Sequence, residues 1–240
     1  MALTLTVLGC SGTYAGPGGA CSGYLVDDGQ THLWVDAGPG TLANLQRHVE
    51  FDAVDAVVLT HEHPDHWTDV EGFVNVLRHV ARREGVPVYA PSGLRGHTYG
   101  DNSPQLAWHT VSDGRRLRVG TLELSFSRTD HGPETLAVRI DAAGRSLGYS
   151  ADTGPAWSLE ALGAGLDLAL CEATVPTEME GTMQHLSAGQ AGASARAAGV
   201  DRLLLTHLWP TLDPDQSMRE AAEAFGAPVD VAVVGARYSA

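Results

Sequence analysis

Residues 60–66 read THEHPDH, three histidines and two acids within seven positions, directly after the apolar run AVVL. Histidine titrates near neutrality and its neutral ring is a common metal ligand, so this cluster points first to metal chemistry. Its ligand-type residues are His61, His63, Asp65 and His66, a pattern written H-x-H-x-D-H. Alternate residues of an extended segment share a face, so His61 and His63 point together, while Pro64 forces a turn that swings Asp65 and His66 to a second point. Two adjacent metal positions follow. A helical zinc motif of the H-E-x-x-H type is excluded, because the residue four after His61 is Asp65. The competing reading is a solvated loop of histidines, which four ligand types in six positions after a buried strand disfavour.

Two first-row metals need more ligands than this loop supplies, and hydrolytic sites draw the remainder from other strand ends. His131 in SRTDHGPETL, Asp152 in GYSADTG and His207 in LLLTHLWP each directly follow an apolar run. Singly, each has a plain explanation as a loop histidine, a turn-forming aspartate or a polar helix entry. Together they complete a set of seven ligands. Two cations sharing a water lower its pKa toward ~7 and supply hydroxide at neutral pH, while His and carboxylate ligands leave positive charge for a phosphoryl oxygen. Asp65 is expected both to ligate a metal and to orient the hydroxide.

The elements that must position these residues are legible in outline. Strand-like runs separated by Gly, Asp and Pro fill the first third (LTLTVLG, YLVDDGQTHLWVDAG). A helix is expected over TLANLQRHV and another over 69–84, closed by Gly85, on the helical spacing of their apolar residues. Strand VPVYAP, the pairs RLRVGTLELSFSRTDH and ETLAVRIDAAGRSLGYSADTG, strand LDLALCEAT, helix SAGQAGASARAAGV, strand RLLLTH, helix DQSMREAAEAFG and strand VDVAVV complete the chain. AVVLTHEH and RLLLTHLW echo each other, both carrying an apolar strand into Thr-His. The pattern predicts a mixed-sheet α/β protein, one domain over residues 1–240.

Composition narrows the partners. All 15 basic residues are arginine, against 29 acids, a formal charge of −14. That surplus repels polyanions, so long RNA or DNA is a poor substrate; Arg115, Arg116 and Arg118 remain a local patch for a small anion. No apolar run is long enough to cross a bilayer and the start lacks a basic signal-peptide region, which predicts a cytoplasmic protein without membrane attachment. Cys10, Cys21 and Cys171 are odd in number and unpaired in spacing, as expected of free thiols in a reducing compartment.

The glycine-rich start, WVDAG (Trp34 to Gly38), THEHPDH, TDH, SADTG and LLLTH stand in the order of the metallo-β-lactamase-fold hydrolases, which the chain resembles along nearly its whole length. That resemblance implies a four-layered αββα sandwich with its site at one edge between the two sheets. It implies one divalent metal on His61, His63 and His131, a second on Asp65, His66 and His207, Asp152 bridging both, and Asp36 supporting them. Zinc is expected, with manganese or iron as alternatives. The segment QHLSAGQAGASARAAGVDRLLLTHL is similar to that of RNase Z-type endonucleases and related phosphodiesterases, which implies that His185 protonates the leaving oxygen and Glu172 orients it.

RNase Z itself fits less well, because its bacterial members insert a tRNA-clamping arm where only 20 residues separate His131 from Asp152. The start VLGCSGTYAGPGGACSGYLV looks like that of atypical class II cyclic-nucleotide phosphodiesterases. A small anionic phosphodiester is the substrate this reading favours, and by analogy with such enzymes a homodimer stays open. A glyoxalase II-like thioesterase would append a helical domain, yet 33 residues follow His207; a zinc β-lactamase would offer cysteine at Asp152. A non-catalytic metal scaffold is the reading from outside the enzymes, although diiron redox members carry an acid where this chain has His63.

Overall fold

A computed structural model describes residues 2–240. Two seven-stranded mixed sheets face each other. Strands β1 (Thr4–Gly9), β2 (Gly23–Asp27), β3 (His32–Ala37), β4 (Ala56–Val58), β5 (Val86–Ala90), β6 (Leu106–Thr110) and β14 (Arg237–Ser239) form the first, in the order β14-β1-β2-β3-β4-β5-β6. The second comprises β7 (Arg116–Val119), β8 (Leu122–Arg128), β9 (Leu136–Ala142), β10 (Arg145–Tyr149), β11 (Leu168–Glu172), β12 (Leu203–Thr206) and β13 (Asp230–Val231), in the order β13-β12-β11-β10-β9-β8-β7. Helices α1 (Thr41–Leu45) and α2 (Asp69–Val76) cover the first sheet; α3 (Ala188–Ala197) and α4 (Pro214–Phe225) cover the second. The result is the expected αββα sandwich.

Side-chain alternation explains why four layers form. In β3, Leu33 and Val35 enter the core between the sheets, while Trp34 points the other way and meets Phe73 of α2 edge to face, ring centroids 5.4 Å apart. In β11, Leu168 and Leu170 enter that core and Ala169 and Cys171 face α3. Strands buried on both faces therefore read as continuous apolar runs. Each fully buried Leu or Phe contributes roughly 1.5–3 kcal/mol. That packing, and not helix propensity, sustains a helix as short as the five residues of α1.

Strand direction places the site. Strands β3 to β6 run parallel, as do β10 to β13, and β8 is antiparallel to β9, which is antiparallel to β10. The C-terminal ends of β8, β10, β11 and β12 consequently emerge along one edge. At the N-terminus of α3, Ser187 and Gln190 close a reciprocal capping box, its N-cap two residues after His185.

Several boundaries differ from the sequence reading. TLANLQRHV is helical only over Thr41–Leu45. The helix expected over 69–84 ends at Val76 in one wide π turn, Leu77–Ala81, and Arg82 at φ 50°, not Gly85, takes the chain out of it. VDVAVV pairs over only two residues, and the short edge strands β6 and β14, which the sequence reading omits, each keep two exposed side chains. Among the described residues no helix is long and apolar enough to cross a membrane. The three cysteines are free, and burial pushes the thiols up, Cys10 and Cys21 to about 11 and Cys171 to about 12, so all three stay protonated and inert.

The α3–α4 contact admits no side chain at Gly192, where a Cβ would lie 2.3 Å from the Ala221 carbonyl oxygen. Gly192→Ala should therefore force the helices apart and cost about 1–3 kcal/mol, read as a lowered urea midpoint. An unchanged midpoint would contradict this contact.

Candidate metal centre

Every residue named from the sequence as a ligand reaches the same strand edge. His61 follows β4, His131 follows β8, Asp152 follows β10 and His207 follows β12, while Asp65 and His66 sit on a single 3-10 turn begun by Pro64. His61, His63, His131 and Asp152 place one ligand atom each within 4.8 Å of one another, as do Asp65, His66 and His207. Asp152 touches both groups: its Oδ2 lies 3.5 Å from His61 Nε2 and 3.9 Å from His131 Nε2, and its Oδ1 3.3 Å from His66 Nε2 and 3.5 Å from His207 Nε2.

The surrounding hydrogen bonds fix which ring nitrogen faces inward. His66 Nδ1 donates to Asp36 Oδ2 at 2.7 Å. The Thr60 hydroxyl donates its one proton to Asp36 Oδ2 at 2.9 Å and so accepts from His61 Nδ1 at 3.1 Å. Thr174 does the same on the other sheet, donating to Glu172 Oε2 and accepting from His207 Nδ1 at 2.7 Å. His131 Nδ1 donates to the Gln184 carbonyl at 2.9 Å. In the neutral rings this leaves the Nε2 atoms of His61, His66, His131 and His207 as lone pairs, and such an outer ring of partners is what sets ligand tautomer and orientation in metal sites.

The donor set fits a cation pair. His66 Nε2 and His207 Nε2 are 3.2 Å apart, and His63 Nδ1 is 3.3 Å from His131 Nε2. Asp65 Oδ2 lies 3.2 Å from His207 Nε2. His61 Nε2 and Asp152 Oδ1 are buried with no hydrogen-bond partner. A buried convergence of acceptors without donors is unfavourable unless positive charge sits among them. In the protein alone, protons answer that demand. Burial lowers the His66 pKa, but the charges of Asp152, Asp36 and Asp65 outweigh it and hold the ring well above its ordinary range. His61 is pushed well below its ordinary value by burial and then by the His66 charge, and His63 falls by burial and the neighbouring His131. Burial raises Asp65 and Asp152, yet the facing histidines win and keep both carboxyls below the usual range.

Backbone strain marks the same edge. Asp36 (φ 55°), Ala151 (φ 51°) and His207 (φ 57°) all adopt the left-handed conformation that non-glycine residues avoid. Gly38 admits the Asp65 turn, since a Cβ there would sit 2.0 Å from the Asp65 carbonyl oxygen. Asp36 is fully buried and accepts from the Thr60 N–H, the Thr60 hydroxyl, His66 and, at 3.0 Å, the Tyr149 hydroxyl.

His185 and Glu172 are also brought together beside the ligands. Glu172 Oε1 accepts from His185 Nδ1 at 2.9 Å and from the Thr153 N–H at 2.8 Å. The His185 ring lies 5.1 Å from that of His131 and 5.7 Å from that of His207. Burial lowers the His185 pKa, but the Glu172 hydrogen bond and charge raise it more, so the ring holds its proton above the ordinary range. Sequence reasoning missed Thr60, Thr174, Tyr149 and the Gln184 carbonyl. Thr60 had a signal in its place before His61; the others are distant in sequence and chemically ordinary.

A family model described as a beta-lactamase superfamily domain matches residues 31–208. The uncharacterized protein Rv1339 of Mycobacterium tuberculosis is 37% identical over 248 residues, 97% of this chain and 90% of its own. The probable metallo-hydrolase YhfI of Bacillus subtilis is 30% identical over 243 residues, 97% of this chain and 98% of its own. Its crystal structure matches all of both chains with a TM-score of 0.91 at 27% identity. Ribonuclease Z of Myxococcus xanthus is 28% identical over 295 residues, 97% of this chain and 96% of its own. Fold, strand-edge chemistry and relatives matched from end to end agree: the chain belongs to the beta-lactamase superfamily, as one of its metallo-hydrolases.

Proposed function

We propose that the protein is a phosphodiesterase acting on small phosphodiesters, cyclic nucleotides among them, with two divalent cations, zinc first, at the strand-edge site. His61, His63 and His131 would hold one cation, Asp65, His66 and His207 the other, and Asp152 both. When bound, such a pair supplies Lewis acidity toward a phosphoryl oxygen and an acidified water as nucleophile. Asp65 would also orient that water. The oxygen that leaves phosphorus keeps the bonding electron pair and needs a proton. His185, whose Nδ1 is engaged by Glu172, delivers its Nε2 proton there, and Glu172 keeps the ring aimed.

The observation that carries this reading is the His185–Glu172 pair, because a phosphodiester leaving as an alkoxide needs a proton donor and a thioester does not. Scale and charge support a small substrate. The 20 residues between His131 and Asp152 are occupied by the hairpin β9–β10, joined through Ala143 and Gly144 within the sheet, and leave nothing over for an arm. The net charge of −14 works against a long polyanion. Three free thiols, two of them buried, support a reducing, cytoplasmic setting.

The purified protein should turn over bis-p-nitrophenyl phosphate and cyclic nucleotides, lose that activity on chelation, and regain it with zinc, manganese or iron. Turnover of a glutathione thioester alone would replace this reading with a thioesterase, and cleavage of a tRNA precursor alone with an RNase Z. Full metal occupancy with no turnover of any of them would leave a binding scaffold.

His185→Ala should retain both metals yet slow esters with alkoxide leaving groups about 10²–10⁴-fold, and p-nitrophenyl esters far less. Equal slowing of the two classes would remove the proton-donor role.

A further inference from the structure

The glycine-rich loop after β1 is sewn onto the segment that carries His207. Ser11 pairs with Leu208 in an isolated parallel bridge, and the Gly12 N–H donates to the Leu208 carbonyl at 2.9 Å. Gly12 has no space for a side chain, since a Cβ would fall 2.3 Å from the His207 carbonyl oxygen. One residue further on, the Trp209 indole N–H donates to the Thr13 hydroxyl at 3.0 Å. Thr13 is itself held at φ 63°, the left-handed region.

That turn points the Thr13 N–H at Asp65 Oδ2, 2.9 Å away. It is the oxygen that faces His207 Nε2 at 3.2 Å and His66 Nε2 at 3.5 Å. Among the described residues, Thr13 is the one donor to this carboxylate that is not itself a ligand-type histidine. No comparable bond ties the loop to His61, His63 or His131. A long-range latch therefore bears on one half of the cluster only.

We propose that Thr13 and Trp209 are positioning residues: through the Thr13 N–H they hold Asp65 in register with His66 and His207, and so set the affinity of that cation position independently of the other. The inference rests on the dinuclear reading of the site. A carboxylate ligand must be fixed in its rotamer before the cation arrives, and partners just outside the ligands typically govern metal affinity by about 10- to 100-fold. Trp209 acts by restraining the strained Thr13, whose own preference is for a conformation that would withdraw the N–H.

The test is zinc affinity and stoichiometry of the full chain, by graded chelator competition with elemental analysis, for the natural protein, Trp209→Phe, Thr13→Ala and Thr13→Ser. Trp209→Phe removes the donor and Thr13→Ala its acceptor, so each checks the other should one fold poorly. Both should weaken one of the two zinc sites about 10- to 100-fold and leave the other within twofold, while Thr13→Ser retains the natural values. Raising free zinc should restore kcat in Trp209→Phe, a recovery that a general packing defect would not show. Natural affinities at both sites in the two variants, or equal weakening of both sites, would overturn the proposal. A natural protein that binds fewer than two zinc ions would instead overturn the dinuclear reading and carry this inference with it.

Discussion

Two bare imidazole nitrogens 3.2 Å apart, with carboxylate oxygens at 3.2–3.5 Å from them, form a cluster that positive charge must hold together. Each ring's other nitrogen has already given its proton to Asp36 or Thr174. Burial of unpaired acceptors of this density is unfavourable by several kcal/mol in total, on the order of what breaks a small domain. A cation among them would relieve it. Much of the surrounding structure exists to bring this unfavourable cluster into being and keep it in register.

The sandwich does so by collecting strand ends. Parallel strands in each sheet deliver their C-terminal residues to one edge, where the chain must turn sharply to reach the outer helices. Along that edge Asp36, Ala151 and His207 adopt left-handed backbone, and Gly12 and Gly38 stand where a Cβ would come within about 2 Å of a backbone oxygen. The interior behind them is close-packed aromatic and aliphatic side chains, Tyr24 and Tyr149 meeting edge on at 5.0 Å. Burial and the Asp36 charge hold the Tyr149 hydroxyl protonated, so it can only donate to Asp36. A rigid core thus reaches the candidate ligands through Asp36, which accepts hydrogen bonds from both the Tyr149 hydroxyl and His66 Nδ1.

Glu172 joins the proposed metal and acid functions. One oxygen serves His185; the other takes the Thr174 hydroxyl that in turn accepts from His207. The orientation of the proton donor and the tautomer of a ligand are consequently set by a single buried carboxylate at the end of β11. Asp36 has the matching place in the first sheet, with Thr60 relaying to His61. The echo between VLTHEH and LLLTHLW is the sequence trace of this arrangement, two strands in facing sheets that each end on an inward histidine. The relay behind them differs: Thr60 precedes its histidine, whereas Thr206 bonds to Tyr24 and the hydroxyl serving His207 comes from Thr174.

By itself the sequence set out the candidate groups and their local spacing. Seven ligand types at strand ends, His185 before a capping serine and the strand–helix alternation are all written in residue identity and local spacing, which is why they were readable without a fold. Short-range patterning failed where an element is sustained from outside itself: α1 shortened to five residues, α2 released into a π turn, and β6 and β14 defined only by pairing at sheet edges. Only the tertiary structure decided which nitrogen each histidine presents, that Asp152 faces both clusters, and that a loop near the N-terminus restrains Asp65 from 52 residues away. Tautomer, bridging and restraint are properties of distances between groups remote in the chain, and no local signal encodes a distance that exists only after the two sheets have packed.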